Sequence, residues 1–72
     1  MNVNEIIDQF FDLSKPCPTQ IIECEQIRDK YKQEIDALTA QGCTQCKKNG
    51  VKAKYLEDVW KLAISSLTQK GS

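Results

Sequence analysis

Residues 19–46 read TQIIECEQIRDKYKQEIDALTAQGCTQC, and this stretch decides the fold. Neither glycine nor proline interrupts residues 19–41, which run as far as the stop signal Gly42. Apolar side chains recur every three or four positions, a spacing that places them on one face of an α-helix. They are Ile21, Cys24, Ile27, Tyr31, Ile35 and Leu38. The pattern predicts a helix over about residues 19–41, with Pro18 in its first turn.

A second apolar pattern precedes this stretch. Asn2 and Asn4 are both competent amino-terminal caps, and the apolar residues that follow them have helical spacing. These residues are Ile6, Ile7, Phe10, Phe11 and Leu13. The sequence predicts a helix over about residues 4–13, which Lys15-Pro16-Cys17-Pro18 ends.

A third pattern follows the second cysteine pair. Lys47-Lys48-Asn49-Gly50 is typical of a turn, and the residues after it predict a helix over about residues 51–67. Its apolar face consists of Leu56, Val59, Trp60, Ala63, Ile64 and Leu67. Trp60 and Tyr31 are expected in the core of the bundle, whereas an exposed Trp60 would indicate a partner surface.

Together these patterns predict an all-α fold, with residues 1–72 forming one small three-helix domain. The second and third helices should form an antiparallel hairpin with the CxxC sequence Cys43-Thr44-Gln45-Cys46 at its tip. A core this small often needs a metal, disulfides or a partner chain for stability.

Charge is balanced over the whole chain, with ten basic and ten acidic residues, but its halves differ. Residues 1–40 hold eight acids and four bases, a net of −4, and residues 41–72 hold six lysines and two acids, a net of +4. This polarity would help two copies associate head to tail, or would turn one end towards an anionic partner. Neither a signal peptide nor a membrane span is recognisable, so we expect a soluble cytoplasmic protein without a membrane partner.

The four cysteines and the absence of histidine restrict the special chemistry of the chain to thiolates. A CxxC turn lets two thiolates converge on one Zn²⁺, and paired cysteines in a reducing compartment often bind metal. We therefore predict zinc as the cofactor, with a ligand set of Cys43, Cys46, Cys17 and Cys24.

Helix length complicates a single four-cysteine site, because an unbroken helix over residues 24–41 separates the two pairs by roughly 25 Å. Three arrangements stay open. The helix breaks around residues 30–32, two chains pair antiparallel so that the cysteine pairs of both meet, or two hairpin tips share one ion. The last arrangement resembles the zinc hook of coiled-coil hairpin proteins in its helix, CxxC turn and helix.

Two other states of the cysteines compete with zinc. The first is a redox or structural disulfide, for which Lys47 and Lys48 would stabilise a nearby thiolate. The alternating strands and helices expected around a thioredoxin-type motif are missing, however. The second is a set of inert thiols, and it fits Cys24 best because that residue lies on an apolar stripe.

Catalysis is not expected, because the chain has no histidine, no glycine-rich phosphate loop and no serine-centred nucleophile motif. We expect a non-enzymatic protein–protein interaction module that zinc stabilises and that forms an oligomer or joins a larger assembly. One alternative is a nucleic-acid-associated zinc regulator that contacts phosphates through Lys47, Lys48, Lys52 and Lys54. A second alternative is a CxxC thiol–disulfide protein.

Overall fold

Three helices make up the architecture in the computed structural model, which describes the backbone of residues 2–71 and the side chains of residues 2–68. They are α1 (Val3–Phe11), α2 (Cys24–Thr39) and α3 (Thr44–Gly71). Residues 2–71 contain no strand. The predicted all-α class is confirmed, and so is the hairpin, since α2 and α3 pack closely with the CxxC pair between them.

Local hydrogen bonds set both ends of α1. The side chain of Asn2 caps the helix by accepting a hydrogen bond of 2.8 Å from the backbone N–H of Glu5. At the other end α1 stops at Phe11, two residues before the predicted end. The carboxylate of Asp12 accepts the backbone N–H of Ser14 at 3.1 Å, and such an Asx turn competes with continuation of a helix.

The first disulfide explains why α2 begins at Cys24 rather than near residue 19. Cys17 and Cys24 are bonded, and their Cα atoms lie 6.1 Å apart. Seven residues of α-helix would separate these atoms by about 10.5 Å, which no disulfide can span. The chain bends instead, through turn hydrogen bonds from Ile21 to Pro18 and from Cys24 to Ile21, each of 3.2 Å.

Packing explains why α3 begins at Thr44 and includes residues 47–50, where the sequence predicts a turn. Gly50 costs a helix roughly 1 kcal/mol relative to alanine. The neighbouring Val51 is only 3% exposed and packs beside Tyr55 against α2. Burying a valine contributes about 1.5–3 kcal/mol, which outweighs the cost of the glycine. The turn lies earlier, at Gly42, whose positive φ of 127° favours glycine.

The core forms two apolar clusters along the hairpin. The larger one joins α1, the loop before α2 and the carboxyl-terminal half of α3 through Ile6, Ile7, Phe10, Ile21, Cys24, Val59 and Ala63. The smaller one lies nearer the tip and consists of Tyr31, Val51 and Tyr55. Edge-to-face contacts between aromatic rings connect the two clusters. The ring centre of Phe11 lies 5.0 Å from those of both Phe10 and Tyr31, and the ring centres of Tyr31 and Tyr55 lie 6.1 Å apart.

Trp60 does not lie in this core, which corrects the sequence prediction. Its side chain is 43% exposed, and Leu56 and Ile64 on the same helix are 39% and 40% exposed. We call these three residues the outer stripe. Consecutive residues of an α-helix are rotated by about 100°, so residues one position after Tyr55, Val59 and Ala63 face away from the core. Tyr31, by contrast, is buried as predicted.

Candidate functional site

All four cysteines are joined in two disulfides, Cys17–Cys24 and Cys43–Cys46, and no cysteine is free. The predicted zinc site made of these cysteines is therefore wrong, and so is the predicted zinc-stabilised interaction module. Zinc binds thiolates, and a sulfur in a disulfide is not a thiolate. In the described part of the chain, moreover, no three His, Cys, Asp or Glu side chains come together in a way that could hold a metal ion.

Helix geometry keeps the two disulfides apart. The predicted alternative of a helix broken around residues 30–32 is absent from the structure, because α2 runs without interruption from Cys24 to Thr39. Its sixteen residues span about 22 Å. The two disulfides consequently occupy opposite ends of α2 and have different surroundings.

The Cys43–Cys46 disulfide lies at the exposed tip of the hairpin. Cys43 immediately precedes Thr44, the first residue of α3, and both cysteines are exposed. The backbone N–H groups of a first helical turn have no partner within the helix and carry a partial positive charge. Residues 44–50, TQCKKNG, add two lysines and no acid. In proteins generally, a helix amino terminus and nearby cations are the features that favour the thiolate form of a cysteine.

The Cys17–Cys24 disulfide lies at the other end of α2, inside the larger core cluster. Cys24 is only 2% exposed, and Cys17 packs half-buried against the same cluster. The bond closes the loop between Pro18 and Glu23 and holds it against α1 and α3. Its burial and its position in the core give it a structural role.

Arg28 on α2 binds the carboxyl-terminal end of α1. Its guanidinium donates to the carbonyl oxygens of Phe10 and Gln9, both at 2.6 Å, of Lys15 at 2.8 Å and of Asp12 at 3.0 Å. The last carbonyls of a helix have no partner within it, so a cation from α2 caps α1. The sequence analysis missed this residue, because no local pattern links Arg28 to a helix end up to 19 residues away.

The four lysines predicted as a nucleic-acid surface are divided between the two sides of α3. The ammonium of Lys54 lies 2.9 Å from Glu34 Oε1 on α2, whereas that of Lys52 lies 5.3 Å from the ring centre of Phe11 on α1. Lys47 is half-buried and Lys48 is exposed. The structure thus distributes the cluster rather than presenting it as one face, and nucleic-acid binding stays a prediction.

The main polar contact between α2 and α3 is formed by Glu34, Lys54 and Tyr55. Glu34 Oε1 accepts hydrogen bonds of 2.9 Å from both Lys54 and the hydroxyl of Tyr55. Two hydrogen bonds lower the pKa of Glu34 below its usual value. The one from Lys54 has the larger effect and the one from Tyr55 the smaller. Burial raises the pKa of Tyr55, so its hydroxyl keeps the proton that it donates to Glu34.

Comparisons with protein-family models, with curated proteins and with solved structures found no match to this chain. None of the helices that the structure describes is long and apolar enough to cross a membrane.

Proposed function

We propose that this chain is a thiol–disulfide exchange protein whose reactive group is Cys43–Cys46. The observation that carries the proposal is the contrast between its two disulfides. Cys43 and Cys46 are exposed at the start of a helix, while Cys24 is 2% exposed and lies in the core. Exposed disulfides are the ones available for reduction and exchange, and buried ones resist it.

Cys43 is the cysteine that we assign as the nucleophile. Only the thiolate attacks a disulfide, and a helix amino terminus or a nearby cation favours that form. Cys43 has both, since it precedes Thr44 at the start of α3, and Lys47 and Lys48 follow in the first turns. Cys46, three residues further along, resolves the intermediate.

The proposed exchange proceeds in two steps. In the reduced protein, the Cys43 thiolate attacks one sulfur of a substrate disulfide and releases the other substrate sulfur as a thiolate. The Cys46 thiolate then attacks the Cys43 sulfur of the mixed disulfide, forms Cys43–Cys46 and releases the second substrate thiolate. Two electrons pass from the protein to the substrate. In the opposite direction, the oxidised protein accepts two electrons from a substrate dithiol.

The fold supports this chemistry without the strands expected around a thioredoxin-type motif. Only the helix terminus and the local charge are needed to stabilise the thiolate, and α3 supplies both. The cytoplasmic location expected from the sequence stays a prediction. The two disulfides support an oxidising compartment instead, because cytosolic thiols are kept reduced.

The test is a trapping experiment with a disulfide-bridged peptide as substrate. Cys46→Ser, reduced beforehand, should accumulate a mixed disulfide through Cys43, visible as a mass increase on the intact protein. Cys43→Ser should form much less of it. The double variant Cys17→Ser/Cys24→Ser is the matched control and should retain exchange at temperatures where it stays folded.

The role of the helix terminus is tested by alkylation. Reduced Cys43 should react with iodoacetamide at neutral pH faster than the same cysteine in a free peptide of residues 41–50, where no stable helix forms. Equal rates in the protein and the peptide, or equal trapping by Cys46→Ser and Cys43→Ser, would contradict the proposal.

A further inference from the structure

The outer stripe gives α3 a second apolar face beside the one that packs on α1 and α2. Its residues Leu56, Trp60 and Ile64 are each about two-fifths exposed. They are spaced by four positions, so they lie along one side of the helix over about 12 Å. A row of large apolar side chains that includes a tryptophan is typical of an interface rather than of a solvated helix face.

The stripe is symmetric about its own centre. Leu56 precedes Trp60 by four residues and Ile64 follows it by four, so large aliphatic side chains lie at equal distances on both sides of the tryptophan. One edge of the stripe carries Glu57 and Lys61, each one position after a stripe residue. Lys61 Nζ lies 3.3 Å from Glu57 Oε1, and the side chains of Glu57 and Lys61 are 76% and 70% exposed.

This symmetry makes the surface complementary to itself in an antiparallel arrangement. If two copies of α3 pair about a two-fold axis at the level of Trp60, Trp60 of one copy meets Trp60 of the other. Leu56 of each copy then meets Ile64 of the other. On the shared edge, Glu57 of each copy lies about 3 Å along the helix axis from the level of Lys61 of the other, a distance that these long side chains can bridge, so opposite charges meet twice. Such a surface is what an isologous dimer requires.

We propose that the outer stripe is the interface of an antiparallel homodimer. A second copy of this chain matches both the apolar spacing and the edge charges, because the antiparallel two-fold axis brings the edge that carries Glu57 and Lys61 against the same edge of the other copy. The pairing directs the two hairpin tips towards opposite ends of the dimer, so both Cys43–Cys46 disulfides stay accessible. The dimer does not depend on the proposed exchange chemistry.

The affinity should be modest, because a stripe of about 12 Å is short compared with standard protein interfaces. We therefore expect a dissociation constant in the micromolar range, on the order of 1–100 µM. The test measures native mass by sedimentation equilibrium on the oxidised full-length chain from about 1 to 500 µM, which spans that range. Trp60 is the one tryptophan of the chain, so its fluorescence reports on the interface directly.

The expected result is a mass that rises from one chain to two with concentration. Quenching of Trp60 by acrylamide should fall over the same range. Trp60→Glu should raise the dissociation constant at least about thirtyfold, as expected for a central aromatic residue of an interface. Ile22→Glu is the matched control, because Ile22 is 79% exposed but lies outside the stripe, and it should dimerise as the natural chain does.

The antiparallel register is tested by charge exchange between chains. Glu57→Lys and Lys61→Glu should each weaken self-association about three- to tenfold, since like charges then face each other at the rim. An equimolar mixture of these two variants should associate more tightly than either variant alone. Circular dichroism should show every variant to be as helical as the natural chain.

Three results would overturn the proposal. The first is a mass of one chain at every concentration up to 500 µM, which would indicate that the outer stripe binds a different protein. The second is equal weakening by Trp60→Glu and Ile22→Glu. The third is a mixture of Glu57→Lys and Lys61→Glu that associates no better than its components.

Discussion

Arg28 Nε on α2 donates a hydrogen bond of 2.6 Å to the carbonyl oxygen of Phe10, the penultimate residue of α1, 18 residues earlier in the chain. The same guanidinium reaches the carbonyl oxygens of Gln9 in α1 and of Asp12 and Lys15 in the segment after it. One side chain thus holds α1 against the hairpin and supplies partners to carbonyls at the helix end, which have none within the helix.

We therefore expect Arg28→Met to lower the free energy of unfolding by about 2–3 kcal/mol, because charged hydrogen bonds contribute roughly 1.5–3 kcal/mol each and do not add fully. Arg28→Lys should lose about half as much, since an ammonium cannot reach four carbonyls in the plane that a guanidinium covers. Urea denaturation measures both. Lys32→Met, at an exposed position on the same helix, should change the stability by less than about 0.5 kcal/mol.

The two disulfides should differ in their contribution to stability. Replacing Cys17 and Cys24 by alanine should lower the free energy of unfolding by about 2–4 kcal/mol, because the bond restricts the unfolded chain and Cys24 is buried. Replacing Cys43 and Cys46 by alanine should cost less than about 2 kcal/mol, since both are exposed and the closed loop is shorter. Thermal melting of the two double variants, without reductant, makes the comparison. Equal losses would contradict the structural role assigned to Cys17–Cys24.

Replacing each of two glycines by alanine should change the stability of the protein in opposite directions. Gly50 lies within α3, and a Cβ atom there would have nothing within 4 Å, so Gly50→Ala should stabilise the protein by about 0.5–1 kcal/mol. Gly42 has a φ of 127°, which an alanine adopts only with strain, so Gly42→Ala should destabilise it by about 1–2 kcal/mol. Chemical denaturation of the pair checks the sign of each change. A destabilising Gly50→Ala would show that α3 does not continue through residue 50.

Stability should fall in acid partly because of Glu34. Its hydrogen bonds from Lys54 and Tyr55 hold its pKa below the usual value. The folded state therefore favours the carboxylate. The stabilisation is complete above the pKa of an unfolded glutamate, about 4.3, and is lost as the pH falls through the lower pKa of the folded state.

Melting temperatures measured from pH 6 to pH 2 test this expectation. Between pH 5 and pH 2, the melting temperature of Glu34→Gln should fall less than that of the natural chain, because the amide has no charge to lose. Asp29→Asn, at an exposed position on the same helix, is the control and should follow the natural chain. Parallel curves for Glu34→Gln and the natural chain would argue against a role for Glu34 in acid unfolding.

Some of this structure follows from local sequence patterns. The three helices, the CxxC pair near the hairpin tip, the Asn2 cap and the helix stop at Gly42 all depend on residues at most a few positions apart, although the turn itself was predicted at residues 47–50. An apolar repeat of three or four residues can bury its side chains only as a helix. Asn2 and Gly42 act on the backbone next to them. These features are predictable because their energies come from neighbours in the chain.

The state of the cysteines was not predictable in this way. The spacing of Cys43 and Cys46 favoured zinc over a disulfide in the sequence analysis, and that prediction was wrong because the sulfurs meet in pairs as disulfides. The Cys17–Cys24 bond also moved the start of α2 from about residue 19 to Cys24, although the apolar repeat continues through the intervening loop. A covalent bond between residues seven positions apart outweighs the helical tendency of that loop.

By itself, then, the sequence determined that the chain folds as a helical hairpin with a third helix, and where its CxxC cysteines lie along that hairpin. Only the tertiary structure decided that Arg28 caps α1, that α3 begins before Gly50 and that Val59 is buried while Trp60 is exposed. The physical reason is that adjacent apolar residues on a helix are equally fit for burial. The helices that pack beside them, from distant parts of the chain, cover one face and leave the other to solvent.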